Sequence, residues 1–585
     1  MKKHYETHVE DTDKLISVAG PVLDYKSWYE QYRKLMEEQA QRKYGLYTPT
    51  SEGDDDDFPS IPGMIARYSA LGLTNEQMAA NPVWVDKTGN GHDLQMKNFA
   101  WKEGSGISDI YPGALVFDGV DDYGACDNFP ILTKEKGYTV VALRKWLTPE
   151  TKTINEVLLG NFKNNPIWIS ANLGAFQFEV KYNVSKKVQT GSFGIGNNIT
   201  LNNNHLFSYQ ISNSYNGSIL RLGSDVGGNF FTVGCGGDQF YANAAIWELV
   251  FLDHDATEEE LTKIKDYFVK TYPWLFPDQA WTVTGKTNED EDRATIANIT
   301  GNGNNLVLSN FGFAEGSGYG LYAQNYISYA ITNRAVYTKT NSSIHVTKSI
   351  TAGVNFTESA RDVTIPSYRI KVTGIQSGQE MIYRGSNNTF LTNIPSDGIY
   401  VLPAVENGSN LGFQFVSYTG DCNITIEQIP EYEGYLVTDG VDDIASSNTV
   451  VYEADFTFIG EWKFIQKDDT VAGINSASHL YIQNRYNRGA TVMINSTFEN
   501  KKNITDYMTF KAITSKGKAY DENWNEVDLL YGDGNKGPSG VNIGGQGSSD
   551  FCHMLFKNMA LYMNKVFSKD ECIKAYNYLQ TLKAK

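Results

Sequence analysis

A long internal repeat constrains the fold of this chain more than any other feature of its sequence. The stretch LVFDGVDDY at residues 115–123 returns as LVTDGVDDI at residues 436–444. Each copy has the pattern of a short strand, a tight Asp-Gly turn and the start of another strand. Asp and Gly suit the turn because both tolerate the left-handed region of backbone conformation. Both stretches therefore predict a β-hairpin.

Other blocks of the two copies repeat in the same order. The interval between copies is 212 residues for the block that begins at Thr88 and 321 for the Asp-Gly turn, so the second copy contains 109 additional residues. A repeat of this length predicts two copies of one domain, with an insertion in the second. The matched pairs of blocks are 88–91 and 300–303, 98–99 and 310–311, 103–106 and 315–318, and 243–247 and 558–562.

The composition fits strands joined by turns. The chain is 41% hydrophobic and 13% aromatic, with 53 glycines and 36 tyrosines. That much apolar material can fill several cores, and aromatic and β-branched residues favour strands. At roughly 100–200 residues per domain, 585 residues predict three to five folding units.

The order of the blocks resembles the laminin-G-like, concanavalin A-like lectin/glucanase superfamily. The resemblance covers most of residues 62–275 and, with one interruption, 281–583. It implies a fold and does not imply a particular ligand. The stretches that carry it in the first copy are 86–92, 114–123, 138–142, 246–251 and 256–261.

We therefore expect a mainly β protein. It would consist of two concanavalin A-like antiparallel β-sandwiches of the jelly-roll type, the second interrupted by a small inserted β-domain, with a short helical N-terminal arm. Alternating stretches near 367–374 and 424–429 predict strands in the insertion. The predicted domain bounds are 1–60 for the arm and an acidic linker, 61–278 for the first sandwich, 279–319 plus 431–585 for the second, and 320–430 for the inserted domain.

The N-terminal arm has the pattern of one amphipathic helix from about Trp28 to Tyr44. A single helix cannot bury its own apolar stripe, so it must pack on its own domain, on another copy or on a partner. Attachment and oligomerisation are the expected roles, with packing on its own chain as the alternative. An acidic run at 51–57 follows, for which a solvated linker is expected rather than a cation site. The apolar face consists of Trp28, Tyr32, Leu35, Met36 and Ala40.

Charge and patterning disfavour several classes of function. The net charge of −18 repels phosphate backbones, so nucleic-acid binding is not expected. No run approaches about 18 apolar residues, and the N-terminus lacks the apolar core of a secretory signal. We therefore expect no membrane insertion and no signal peptide. The five scattered cysteines form no CxxC pattern, which favours free thiols over disulfides or zinc sites.

Catalysis is not expected. Glucanases of the superfamily use paired carboxylates in the pattern Glu-x-Asp-x-x-Glu, and retention requires them about 5–5.5 Å apart. The nearest match begins at Glu526 and Asp528, but its last position is Tyr531. A surface strand is the better interpretation. No other arrangement of nucleophile and base can be named from spacing, so we expect no enzyme, no catalytic residues and no cofactor.

Binding residues are equally hard to assign from spacing. Two groups of aspartates flank the repeated turns, and some laminin-G-like relatives bind calcium near the sandwich rim. Strand-end turns explain the same residues without metal, so no metal site is predicted. His92, whose repeat counterpart is Asn304, is interpreted as a turn residue, and the glycine clusters at 234–237 and 544–547 as tight turns. The aspartates are Asp118, Asp121, Asp122, Asp439, Asp442 and Asp443.

Aromatic side chains provide the only candidate sugar platforms. Trp101, Trp168, Tyr241 and Trp524 are of the type that stacks on sugar rings, although aromatics at this density are more often core or interface residues. The sequence does not choose among them.

The chain resembles fibre and decoration proteins of tailed bacteriophages. The resemblance implies a structural virion protein, made in the host cytoplasm, whose lectin-like domains contact host surface glycans. Its partners would be other virion proteins and copies of itself, with a trimer favoured, and host polysaccharide. The alternatives are a carbohydrate-active enzyme or binding module of the superfamily, and a purely architectural virion protein that binds no sugar.

Overall fold

The computed structural model confirms a mainly β protein. The arm predicted over 1–60 lies outside the described residues except for 57–60. The structure describes residues 57–126, 129–130, 137–148, 156–160, 177–182, 187–190, 199–201, 206–211, 231–233, 241–313, 317–320, 327, 330–340, 342–359, 363–385, 390–408, 410–447, 450–465, 471–476, 479–485, 489–495, 502–503, 509–532, 537–546 and 550–584.

The chain divides into two compact units, with the boundary between Thr271 and Tyr272. Each unit is described by itself. Three α-helices lie in the described residues: α1 (Asn75–Ala80), α2 (Glu258–Thr271) and α3 (Lys569–Gln580). A short 3-10 helix, Pro273–Leu275, follows the boundary. Among the described residues, no helix has both the length and the apolar character that a membrane crossing requires.

Strands of the first unit number β1 to β14. Their bounds are β1 Met64–Ser69, β2 Val83–Trp84, β3 Leu94–Lys97, β4 Gly106–Ser108, β5 Ala114–Asp118, β6 Tyr123–Cys126, β7 Thr139–Trp146, β8 Glu156–Gly160, β9 Gln177–Tyr182, β10 Lys187–Thr190, β11 Ile199–Leu201, β12 Phe207–Ile211, β13 Phe231–Val233 and β14 Asn243–Leu252.

Strands of the second unit fall into three groups along the chain. The first group is β15 Gln279–Thr282, β16 Thr295–Ile296, β17 Leu306–Ser309 and β18 Gly318–Tyr319. The second is β19 Ala330–Ile331, β20 Ala335–Lys339, β21 Ser343–Ser349, β22 Thr357–Glu358, β23 Val363–Ile365, β24 Tyr368–Thr373, β25 Met381–Arg384, β26 Phe390–Ile394, β27 Gly398–Leu402, β28 Val405–Gly408, β29 Gly412–Phe415 and β30 Gly420–Ile429. The third is β31 Leu436–Val437, β32 Ile444–Ser447, β33 Val450–Tyr452, β34 Phe456–Phe464, β35 Val471–Ser476, β36 Leu480–Arg485, β37 Gly489–Ile494, β38 Lys502–Asn503, β39 Ala512–Thr514, β40 Lys518–Tyr520, β41 Glu526–Asp528, β42 Gly537–Ser539, β43 Asn542–Ile543, β44 Gly545–Gln546, β45 Asp550–Phe551 and β46 Met554–Met563.

Two antiparallel sheets form the first unit. Sheet I has the order β12-β7-β14-β5-β4, with β1 also paired to β14, and sheet II has the order β11-β10-β9-β8-β13-β6-β3-β2. Apolar side chains of both sheets share one buried cluster, for example Phe117 and Phe251 from sheet I and Leu94 and Met96 from sheet II. The unit is therefore a β-sandwich, with its core between the sheets.

The second unit repeats this arrangement. Sheet III has the order β18-β31-β46-β34-β39-β40-β41, with β15 also paired to β46, and sheet IV has the order β16-β17-β32-β43-β35-β36-β37-β38. Phe458 and Phe556 of sheet III share a buried cluster with Ile474 and Ile482 of sheet IV. Helix α2 in the first unit and helix α3 in the second each follow the last strand of their sandwich.

The two central strands correct one part of the sequence comparison. Strand β14 has a bulge at Trp247 in its pairing with β7, and strand β46 has a bulge at Lys557 in its pairing with β34. Trp247 is therefore equivalent to Lys557, and Glu248 to Asn558. The matching of 243–247 with 558–562 was wrong by five residues. Runs of small and apolar residues can be aligned with each other at several offsets, whereas the register of strand pairing allows only one.

Strands of residues 330–429 form sheets of their own. Sheet V has the order β20-β21-β30-β24-β27, and a three-stranded sheet, VI, has the order β26-β25-β29. In the described part of this segment, no strand pairs with a strand outside it. Ile370 and Ile424 from sheet V share a core with Tyr383 and Phe413 from sheet VI. The domain bounds predicted at 278, 319 and 430 stay predictions.

The sequence predicted that each repeated Asp-Gly turn is the tip of a hairpin, but the structure shows that neither is. Strand β5 belongs to sheet I and β6 to sheet II, while β31 belongs to sheet III and β32 to sheet IV. The turn is thus a corner that carries the chain from one sheet of a sandwich to the other. The hairpin prediction was wrong because a strand, a turn and a strand look alike whether the two strands pair with each other or with distant partners.

Hydrogen bonds fix the two corners in the same way. Asp118 Oδ1 accepts from the backbone nitrogens of Val120 (2.7 Å) and Asp121 (3.3 Å), and Asp122 Oδ2 accepts from Asp118 N (3.0 Å). In the second sandwich Asp439 and Asp443 make the equivalent bonds at 2.7, 3.3 and 2.8 Å. The two copies therefore share the hydrogen-bond geometry of the corner as well as its sequence.

Helix starts follow the sequence closely. Thr74 is the N-cap of α1: its side chain accepts from Gln77 N, and Gln77 completes a capping box. Thr257 and Glu260 make the same pair of bonds before α2, and Ser568 and Glu571 before α3. These pairs are local, so the sequence alone reveals them.

Candidate functional site

One of the four aromatic candidates packs on the core of the first unit, a second contacts another tyrosine ring there, and a third lies outside the described residues. Trp101 lies flat on Phe99, with ring centroids 4.8 Å apart and planes at 18°, and packs on the core. Tyr241 lies beside Tyr123 at 6.4 Å. Trp168 is the one outside the described residues. Trp524 remains, at the tip of the β40–β41 connection in the second sandwich.

Asp521 holds the loop that presents Trp524. Its Oδ1 accepts from the backbone nitrogens of Asn523 and Asn525, both at 2.8 Å, and its Oδ2 accepts from the Asn525 side chain at 3.0 Å. Asp521 is 5% exposed, so the brace is sheltered from water. Trp524 has a φ of +61°, a conformation that bulky residues seldom adopt and that costs of the order of 1 kcal/mol or more. Gly or Asn would suit this φ better, so the conformation of the turn does not explain why a tryptophan occupies the position.

Lys511 lies between Trp524 and a tyrosine of helix α3. Its Nζ is 5.3 Å from the Trp524 ring centroid and 5.0 Å from that of Tyr576. The two rings meet edge to face at 5.5 Å and 87°. All three side chains are partly exposed. We call Lys511, Trp524 and Tyr576 the Trp524 patch.

Glu461 anchors the patch from below. Its Oε2 accepts from Tyr576 Oη and from Lys557 Nζ, both at 3.1 Å, and its Oε1 accepts a short hydrogen bond from Tyr435 Oη. Burial first, and then the neighbouring Glu461 carboxylate, raise the pKa of Tyr435 and of Tyr576. Both hydroxyls therefore stay protonated and donate. Since its two oxygens already accept from three donors, Glu461 is suited to positioning Tyr576 and poorly suited to proton transfer.

At the equivalent described positions, the first sandwich has none of Glu461, Lys511, Lys557 and Tyr576. Pairing of β7 with β14 and of β34 with β46 places Leu143 where the second sandwich has Glu461. Ser208 lies opposite Ala142 as Lys511 lies opposite Gly460. The two bulges make Trp247 equivalent to Lys557, and counting from the helix caps makes Lys265 equivalent to Tyr576. The pairs are Leu143 and Glu461, Ser208 and Lys511, Trp247 and Lys557, and Lys265 and Tyr576. The sandwich can thus be built without the patch.

The glucanase-like stretch forms a surface strand, as expected. Glu526 and Asp528 are exposed neighbours on one face of β41. Lys518 on β40 contacts both carboxylates, Asp528 at 2.6 Å and Glu526 in a shorter contact. These hydrogen bonds raise the pKa of Lys518, so it remains charged and neutralises them. Tyr531 is 49% exposed and supplies no carboxylate. An acid and nucleophile pair does not arise at this strand.

The aspartate groups at the two corners are explained as turn caps. In each group one carboxylate oxygen per residue lies within 4.8 Å of the others. In the first group, Asp118 caps the corner amides, and Asp122 accepts from Asp118 N and from Ser105 Oγ (3.1 Å). Burial raises the pKa of Asp122 to about 7 and that of Asp443 to about 6. Asp118 and Asp122 thus accept from backbone amides and a serine hydroxyl, and Asp439 and Asp443 accept from the equivalent amides, so the turn explains these four residues without a metal.

The remaining predicted positions are structural. Tyr68 Oη donates to the carbonyl of His92 at 2.5 Å, and Trp281 Nε1 donates to the carbonyl of Asn304 at 2.7 Å. In both sandwiches the backbone carbonyl of His92 or its counterpart Asn304 accepts this hydrogen bond, as expected for a turn residue. Gly544 lies between β43 and β44, and the cluster 234–237 lies outside the described residues. Four cysteines, Cys126, Cys422, Cys552 and Cys572, are not joined in disulfides, and Cys235 lies outside the described residues.

A cavity of about 1330 Å³ lies in the first unit, between α1, β2 and the end of α2. Its buried ionic groups are engaged with one another. Arg67 pairs with Glu248, and Asp86 accepts from Arg67 N (3.1 Å) and from Thr88 Oγ1 (2.8 Å). Because the polar groups of its wall serve the fold, the cavity is a weaker candidate than the Trp524 patch.

Comparison with protein-family models and with curated protein sequences finds no match to the chain. Solved structures with some likeness include a Trypanosoma rangeli sialidase in complex with sialic acid, at 14% identity and a TM-score of 0.23, covering 37% of this chain and 34% of that one. The binding domain of botulinum neurotoxin DC in complex with rat synaptotagmin II has 12% identity and a TM-score of 0.24, covering 85% and 99%. The NanB sialidase from Streptococcus pneumoniae has 10% identity and a TM-score of 0.16, covering 68% and 88%.

This chain spans about a third of the length of that first sialidase. At these TM-scores the likeness carries no argument about activity or ligand. The class of the protein rests on its own sheets: it is a mainly β protein with an antiparallel β-sandwich in each of its two units.

Proposed function

We propose that the chain is a structural virion protein of a tailed bacteriophage, a fibre, appendage or decoration protein, whose second sandwich binds host surface glycan. The Trp524 patch is the observation that carries the glycan part. It combines a partly exposed aromatic ring at a surface loop with the exposed polar residues Asn523 and Asn525 on either side of it, which is the chemistry of a sugar platform.

Binding, not hydrolysis, is supported by the carboxylates of the second sandwich. Glu461 accepts from three donors, and Glu526 and Asp528 share Lys518. General acid catalysis requires a carboxyl group that can give a proton to a leaving oxygen, and a nucleophile requires an accessible carboxylate. The groups around the patch are therefore suited to holding a ring in place.

The virion part of the proposal rests on the resemblance and on the sequence of the arm. An amphipathic segment at 28–44 requires a partner for its apolar face, and neighbouring virion proteins or further copies of the chain would supply one. We expect a homo-oligomer, with a trimer favoured. Mass photometry of the full chain tests this, because a monomer at micromolar concentration would contradict it.

A glycan array probed with the full chain tests the proposed function. We expect binding to bacterial surface polysaccharides, without release of reducing ends over hours of incubation. Absence of binding to every glycan would contradict the proposal and favour a purely architectural virion protein. Release of reducing ends would favour a carbohydrate-active enzyme instead.

A further inference from the structure

The charge of Lys511 has no carboxylate partner in the part of the chain that the structure describes. Its neighbours behave differently: Lys518 contacts two carboxylates, Lys557 contacts Glu461, and Lys516 contacts Asp455 at 2.6 Å. Lys511 instead faces two aromatic rings. Such contacts stabilise an ammonium by about 0.5–1 kcal/mol at exposed sites while leaving its hydrogen-bond donors unused.

The surroundings keep this charge in a fixed place. Tyr576 is held by Glu461, and Trp524 is held by the loop that Asp521 braces. An ammonium between two fixed rings is pre-organised, so a ligand that meets it loses little additional freedom. A fixed and unpaired cation beside a stacking ring is an arrangement that an anionic sugar fits.

The overall charge of the chain makes a local cation necessary for such a ligand. At a net charge of −18, the protein repels acidic polymers at long range. Lys511 is the one charged side chain of the patch, because Lys557 beside it is paired with Glu461 and the Asp521 carboxylate accepts from the loop amides. Salt screens the long-range repulsion within about 8–10 Å, and the close contact with Lys511 then decides whether an acid group is accepted.

We propose that the Trp524 patch recognises a carboxylate-bearing sugar, with the ring stacked on Trp524 and the carboxylate bound to Lys511 Nζ. This rests on the proposed glycan-binding function and names the class of glycan at that site. Carboxylates occur in hexuronic and in nonulosonic acids, and both present the same group to the lysine. A sulfate ester is a different anion and is an outcome of the test.

The test uses the full chain and pairs of ligands that differ in one group. The probes are oligomers of glucuronate, galacturonate, mannuronate and N-acetylneuraminate, each compared with its carboxyl-reduced counterpart, together with a sulfated neutral oligosaccharide. We expect at least one acid oligomer to bind and its reduced counterpart to bind at least about tenfold more weakly, since a hydrogen bond to a charged group contributes about 1.5–3 kcal/mol.

Two variants locate the binding. Lys511→Gln removes the charge, and Trp524→Asn removes the ring while retaining a residue that suits a φ of +61°. Each is expected to weaken binding of the acid oligomer at least about tenfold, and Lys511→Gln is also expected to remove the attractive contribution that added salt weakens. Lys516→Gln is the matched control: it removes the same charge from the same sheet, where the lysine already pairs with Asp455, and binding should stay within about twofold.

The outcomes separate the two proposals. Acid-selective binding that both variants weaken, with an unchanged unfolding midpoint, supports the site and the ligand class. Acid binding that neither variant weakens, or binding of only the reduced or sulfated forms, overturns the Trp524–Lys511 assignment while leaving glycan binding in place. Absence of binding to any probe, together with a blank glycan array, overturns both.

Discussion

Replacing Glu248 by asparagine is expected to lower the free energy of unfolding of the first sandwich by about 3–5 kcal/mol. Glu248 is fully buried on β14, and its Oε2 is 3.2 Å from Arg67 Nε on β1. The Arg67 side chain is 5% exposed and also donates to Tyr267 Oη at 2.8 Å. Removing the carboxylate leaves a guanidinium buried without it, which is among the costliest single changes that a core can suffer.

In the second sandwich, uncharged residues occupy the positions equivalent to Arg67 and Glu248. Asn558 is equivalent to Glu248, and Ala280 is equivalent to Arg67, since Ala280 N bonds to Asn298 Oδ1 as Arg67 N bonds to Asp86 Oδ1. The double variant Arg67→Ala with Glu248→Asn copies that solution. We expect it to be less destabilised than the two single changes added together, by about 1–3 kcal/mol.

Urea unfolding of the four proteins of this cycle measures the interaction. The exposed pair Lys263–Glu259 on α2 serves as the control, because Glu259 is 78% exposed and Glu259→Asn should change the free energy of unfolding by less than about 1 kcal/mol. Additive losses in the cycle would mean that Arg67 and Glu248 do not stabilise each other.

Replacing Asp122 by asparagine is expected to remove a pH dependence of stability. Asp122 is fully buried at the sandwich corner, and burial raises its pKa to about 7, while the nearby Asp118 and Asp121 add to the shift and its hydrogen bonds oppose it. The folded protein therefore holds this proton more tightly than the unfolded chain, in which an aspartate titrates near 4.

The sign of the effect follows from that difference. Between about pH 4 and pH 7 the folded state binds more protons than the unfolded state, so stability falls as the pH rises through this window and then levels off. At pH 8 Asp122→Asn should be more stable than the parent by about 2 kcal/mol, with allowance for solvent screening at the corner. At pH 4 the two proteins should be nearly equal.

Thermal or urea unfolding at pH 4, 6 and 8 measures this. Asp121→Asn is the matched control, because it removes the same charge from the same corner at an exposed position. It should leave most of the pH dependence in place, because burial is the largest cause of the pKa shift of Asp122 and the charge of Asp121 is a smaller one. Asp443→Asn should act like Asp122→Asn over a narrower window, since the pKa of Asp443 is raised to about 6. An unaltered pH slope in both asparagine variants would contradict the assignment.

The sequence predicted what is local and repeated. The caps at Thr74 and Ser568 satisfy amides within three residues of the chain, so they depend on local sequence alone. The repeat predicted two equivalent corners, and Asp118 and Asp439 do make equivalent bonds. The alternation at 368–373 predicted the half-buried strand β24.

What the sequence could not predict depends on distant partners. The corners were taken for hairpins because pairing of β5 with β14 involves residues more than a hundred positions apart. Trp524 was among the aromatic candidates, but nothing in the sequence separated it from Trp101. Lys511, Glu461 and Tyr576 were missed, because they come from three elements that only the order of sheet III and the packing of α3 bring together.

Hydrogen exchange of the full chain, with and without the acid oligomer that binds most tightly, tests most directly whether the second sandwich carries the ligand site. The account predicts slower exchange in residues 509–525 and 570–580 and no change at 206–211 or in α2, the equivalent positions of the first sandwich. Protection confined to residues 57–271 or to 330–429, with none around Trp524, would contradict it.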